Sequence, residues 1–67
     1  MDRFTIVSMA SNDLAYCYIW KAEKMPTLKQ AKKILSDRQL DVVSVLAIVE
    51  TPDKGSISCQ GLTFYLN

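Results

Sequence analysis

The sequence predicts an α+β domain of order β-β-α-β-β, with a four-stranded, mainly antiparallel sheet and one helix packed on one face. Three observations carry that reading. A capping signature opens a single amphipathic stripe in mid-chain, two β-prone runs separated by turn formers precede it, and two more follow it. Residues 1–67 read as one domain, because a chain this short builds one thin core.

Residues 3–9 are rich in β-branched and apolar side chains, with Phe4 and Ile6 on one face and Val7 and Met9 on the other. Ser11, Asn12 and Asp13 bond readily to their own backbone and tolerate left-handed geometry, so a hairpin is expected to close there. In the next run, Leu14 to Lys21, alternation puts Leu14, Tyr16, Tyr18 and Trp20 on one face and Ala15, Cys17 and Ile19 on the other. Thr27 and Gln30 form a Thr-x-x-Gln capping box behind Pro26, and Leu28, Ala31, Ile34 and Leu35 follow at helical spacing. That helix is expected to end near Asp37 or Arg38, with Leu40 packing back under the sheet.

Val42 to Glu50 is apolar on both faces and predicts an interior strand. Thr51 to Gly55, with Pro52 and Gly55, predicts the turn of a second hairpin. The last run, Ser56 to Leu66, shifts its apolar phase at Gly61, which predicts a β-bulge there. One helix covers one sheet face, so the opposite face is expected to meet water, a partner or a second copy in a homodimer.

The inventory of reactive groups argues against an enzyme. The sequence has no histidine, only two glycines and two cysteines 42 positions apart, with neither a nucleophile–base pair nor a phosphate loop nor a zinc-ligand set. No cofactor or metal is therefore expected, and Cys17 and Cys59 are expected to be free thiols packed as small hydrophobes. The start of the chain lacks the pattern of a secretory signal, and the longest apolar stretch, Val42 to Val49, is far below the ~20 residues that span a bilayer. The expectation is a cytoplasmic protein without a membrane segment.

Net charge is +1, yet residues 21–33 alone carry +4 from Lys21, Lys24, Lys29, Lys32 and Lys33 against Glu23. Such a cluster suits phosphates or an acidic protein surface, and it also suits a solvated helix face. Arginine is missing from it, which argues against base-specific reading. The stripe Tyr16, Tyr18 and Trp20 serves either as core beneath a helix or dimer seam, or as a contact surface on which bases or a partner pack.

The layout, with Pro26-Thr27-Leu28-Lys29-Gln30-Ala31-Lys32-Lys33 between two hairpins, resembles small phage-encoded β-β-α-β-β proteins that inhibit host enzymes or defence complexes, including some anti-CRISPR proteins. The resemblance implies a protein that occupies a nucleic-acid or substrate channel on a larger target in the host cytoplasm, with Lys29, Lys32 and Lys33 among its contacts. The function expected is that of a small protein-interaction module acting on a larger protein or nucleoprotein. The alternative is a nucleic-acid-binding accessory protein using the lysine cluster.

Overall fold

The computed structural model describes residues 2–52, 55–59 and 61–66, without the side chains of Cys59 and Leu66. Its elements are β1 (Asp2–Met9), β2 (Ala15–Ala22), α1 (Leu28–Asp37), β3 (Ser44–Glu50), β4 (Gly55–Cys59) and β5 (Leu62–Leu66). The α+β class and the single helix stand, but the sheet differs from the one expected. Strands β2, β1 and β3 form a three-stranded sheet in that order, and β4 pairs only with β5.

The first hairpin closes at the expected residues. Asp13 N–H donates to the Ala10 carbonyl at 3.1 Å and Leu14 N–H to Asn12 Oδ1 at 3.1 Å. Asp13 takes the left-handed conformation at φ 64°, which a short polar side chain tolerates and which matches a three-residue hairpin loop. From there β1 and β2 pair without a slip, from Met9 with Ala15 to Asp2 with Ala22.

Helix α1 starts as its sequence dictates. Gln30 N–H donates to Thr27 Oγ1 at 3.2 Å and Thr27 N–H to Gln30 Oε1 at 2.9 Å, so both halves of the capping box are made. It ends in a Schellman motif, with Leu40 N–H donating to the Leu35 carbonyl at 3.0 Å and Gln39 N–H to the Ser36 carbonyl at 2.9 Å. Gln39 holds the left-handed position at φ 59°, where glycine is usual. Ala31 and Leu35 are buried with Ile6, and Tyr18, Trp20, Ile34, Val42, Val45 and Ile48 pack around them.

Both β2 and β3 run antiparallel to β1, so they are parallel to each other and α1 crosses between them over the strand they enclose. This split β-α-β arrangement makes β1 the interior strand, and Phe4, Thr5, Ile6, Val7 and Ser8 are all buried. The prediction that residues 42–50 form the interior strand is thus corrected. Strand β3 lies at the side of the three-stranded sheet, and its two apolar faces reflect cover above and below rather than neighbours on either side. A register shift between Val7 and Ser8 leaves Leu46 as an extra residue, which turns both Val45 and Ile48 toward the helix.

The open sheet face is also corrected. Thr5 and Val7 point away from the helix and are fully buried, and their cover must come from the segment after Thr51, where Ile57 is buried as well. Thr5 and Thr51 join hydroxyls on that face at 2.6 Å, and Arg3 Nη2 donates to the Pro52 carbonyl at 3.3 Å. The layers are therefore helix, three-stranded sheet and two-stranded hairpin.

The expected second hairpin between residues 42–50 and 56–66 does not form, because β3 pairs with β1. Asp53 and Lys54 of its turn lie outside the described residues. Instead, the run read as one strand with a bulge folds on itself. Cys59 pairs with Leu62 across a two-residue loop whose second residue, Gly61, has φ 78°. The phase shift at Gly61 marks a chain reversal, which glycine's access to positive φ permits.

Candidate protein-docking surface

One end of the three-stranded sheet concentrates exposed apolar side chains. The β1–β2 turn and the α1–β3 loop meet there, because Val43 N–H donates to the Met9 carbonyl at 2.7 Å and Ala10 N–H to the Leu14 carbonyl at 2.9 Å. Leu14, Tyr16, Leu40 and Val43 gather at this end, between 44% and 58% exposed. Tyr16 and Leu40 also rim an open groove of about 450 Å³ whose floor includes Ala10, Tyr18, Leu35 and Val42. Leu40 thus does not pack away beneath the sheet as expected, since the Schellman turn leaves it on the groove's rim.

Asp41 fastens that rim. Ser11 donates to Asp41 Oδ2 from both its N–H, at 3.1 Å, and its hydroxyl, at 2.5 Å. These bonds, the hydroxyl's first, hold the Asp41 carboxyl below the usual carboxylate range. Because the folded pKa is depressed, the contact's stabilisation is complete above the unfolded carboxylate pKa and is lost as pH falls through the folded value. We expect urea midpoints of wild type and Asp41→Asn to differ at neutral pH and to converge in acid; a gap that widens in acid would contradict this assignment.

The aromatic stripe divides by burial. Tyr18 and Trp20 are half-buried against the core, with ring centroids 6.4 Å apart, and the Arg38 guanidinium lies 5.4 Å from the Trp20 ring centre. Tyr16 is 49% exposed and accepts a hydrogen bond from Asn12 Nδ2 at 3.4 Å.

The lysines are not gathered onto one surface. Lys24 and Lys33 line a second groove of about 680 Å³ with Trp20, Thr27, Gln30 and Asp37, Lys29 and Lys32 lie exposed on the helix, and Lys21 sits on the reverse sheet face opposite Arg3. None of the five makes an ion pair with a described residue. Lys29 occupies the helix's first turn and Asp37 its last, each the sign that the helix dipole disfavours by about 0.3–1 kcal/mol. The helix therefore relies on its cap and its packing.

Cys17 is a free thiol, and it is exposed on β2 rather than packed as expected; the Cys59 side chain lies outside the described residues. The sequence places Leu14 on the face of Tyr16 and Leu40 under the sheet, but it shows neither their exposure beside Val43 nor the Ser11–Asp41 clasp. Only the turn signals at Ser11 and Asn12 hinted at them, because the clasp joins segments 30 positions apart.

No protein-family model, no curated protein and no solved structure matches this chain. The class its geometry defines is a split β-α-β sheet with an added hairpin. Among the described residues no helix is long and apolar enough to cross a membrane.

Proposed function

We propose that the chain is a small non-catalytic interaction module that docks on a larger protein or nucleoprotein and occupies its substrate or nucleic-acid site. The observation that carries this reading is the set of exposed apolar residues Leu14, Tyr16, Leu40 and Val43 at one end of the sheet, two of which, Tyr16 and Leu40, line an open groove. Apolar side chains gathered at one place on a small domain mark a contact surface. The resemblance to phage-encoded inhibitors supports the same direction, with a site in the host cytoplasm.

A second reading, nucleic-acid binding through Lys29, Lys32 and Lys33, is favoured by one observation: Lys29 sits in the first helical turn without an acidic partner among the described residues. Two variants separate the readings. With Leu40→Glu and Val43→Glu combined, the protein retained from a lysate of the natural host by the wild type is lost, while Lys29→Ala, Lys32→Ala and Lys33→Ala combined still retain it. Oligonucleotides should stay unbound at low salt. Binding that falls steeply with salt, with a slope reduced by roughly one for each lysine removed, would establish the second reading instead.

A further inference from the structure

Strand β2 presents an open edge whose polarity can be worked out residue by residue. On the β3 side of β1, Val43 N–H donates to the Met9 carbonyl and Thr51 N–H to the Arg3 carbonyl; on the β2 side, Ala10 N–H donates to the Leu14 carbonyl. Odd-numbered residues of β1 thus direct their main-chain groups to β3, and even-numbered ones to β2. The register pairs Ile6 with Tyr18 and Phe4 with Trp20, so Tyr16, Tyr18 and Trp20 bond to β1. Ala15, Cys17, Ile19 and Lys21 turn their N–H and C=O groups outward, and no described residue bonds to them.

Edges of this kind are usually blunted by proline, a bulge, central charges or covering chain. Strand β2 carries none of the first three: its register is continuous over eight residues and its one charge, Lys21, lies near the end. Cys17 and Ile19, in the middle of the strand, are exposed on the reverse face.

The edge is self-complementary. A two-fold axis normal to the sheet keeps every side chain on its own face, so odd residues meet odd residues and even meet even. With Tyr18 opposite the partner's Tyr18, Cys17 meets the partner's Ile19 and Ala15 meets the partner's Lys21. Every outward main-chain group of both strands is then paired. Moving the axis to Ile19 or to Cys17 leaves Ala15 or Lys21 unpaired. The Tyr18-centred register also stacks the exposed apolar pair against its counterpart and sets no like charges opposite each other.

We propose that the chain forms a two-fold dimer through antiparallel pairing of β2 with the same strand of a second copy, centred on Tyr18. The two three-stranded sheets become one continuous sheet with both helices on one face, and Tyr16 lies beside the partner's Trp20. The seam shares Tyr16 with the target reading above but needs neither Leu40 nor Val43, so the Leu40→Glu and Val43→Glu pair tests that reading without testing this one.

Two measurements test it. Sedimentation equilibrium across micromolar to millimolar concentrations should show the 7.6 kDa chain passing to twice its mass, and Ile19→Pro, which removes one outward N–H, should remain a folded monomer. In a Cys59→Ser background, Ile19→Cys places a thiol about 5.5 Å, Cα to Cα, from the partner's Cys17, within disulfide reach. Mild oxidation should then give a covalent dimer linked between positions 17 and 19. A chain that stays monomeric and gives no cross-link overturns the proposal. So does a dimer that persists in Ile19→Pro or that links elsewhere.

Discussion

Leu35→Ala is expected to remove a large part of the folding stability. Leu35 is 1% exposed and meets Ile6 and Ala31 where α1 crosses the sheet, so truncation leaves a cavity at the joint between two layers. Leu-to-Ala changes at such sites cost about 2–5 kcal/mol. A 67-residue domain has roughly 3–10 kcal/mol of stability in total, at 0.05–0.15 per residue. The loss is therefore on the order of half of the total. The neighbouring Ile34→Ala, half-buried on the same helix, should cost clearly less. Urea unfolding of the two variants side by side checks both the magnitude and the order; equal losses would mean that the helix is not seated through Leu35.

Ile57→Ala is expected to loosen the third layer without dissolving the first two. A two-stranded hairpin is marginal in water by itself, so β4 and β5 depend on burying Ile57. The substitution should cost about 2–5 kcal/mol, near the lower end because the hairpin detaches locally instead of leaving a closed void. Residue-resolved amide exchange should show rapid exchange across 55–59 and 62–66, with β1 still protected. Loss of protection in every element together would show that the hairpin and the three-stranded sheet unfold as one unit.

Local signals made much of this fold legible. The Thr27–Gln30 box, the Ser11-Asn12-Asp13 turn and the spacing of Ala31 and Leu35 are interactions within a few residues of chain, and each forms as read. Strand placement was less legible, because an apolar run such as Val45 to Val49 reports covered faces and not the number of neighbouring strands. The bulge at Leu46 hid inside that run, where no polar residue marked a change of phase. The phase shift at Gly61 suits a bulge as well as a reversal, and Gly61 supplies the positive φ of the reversal; the two differ only in whether the following strand continues or returns. The tyrosines and tryptophan were visible as a stripe, while the exposure of Tyr16 beside the half-burial of Tyr18 and Trp20 depends on where the helix lies. The apolar rim is not legible for the same reason: Leu14, Leu40 and Val43 come together only through the pairing of Met9 with the chain after the helix.

Among the described residues, the surfaces left over by packing are an apolar rim, the outer edge of β2 and lysines without an ion-pair partner on a helix whose dipole disfavours one of them. A domain with so thin a core gains from covering such surfaces, which is why contact with other chains, rather than chemistry, is the center of the proposal. The most direct test is the alternation of amide exchange along β2, followed by NMR at low and high protein concentration. In dilute solution the amides of Tyr16, Tyr18 and Trp20 should be protected and those of Cys17, Ile19 and Lys21 should exchange freely; raising the concentration should protect the second set as well. Odd-numbered amides that exchange freely at every concentration, or that are already protected in dilute monomer, would contradict an open edge that a second chain closes.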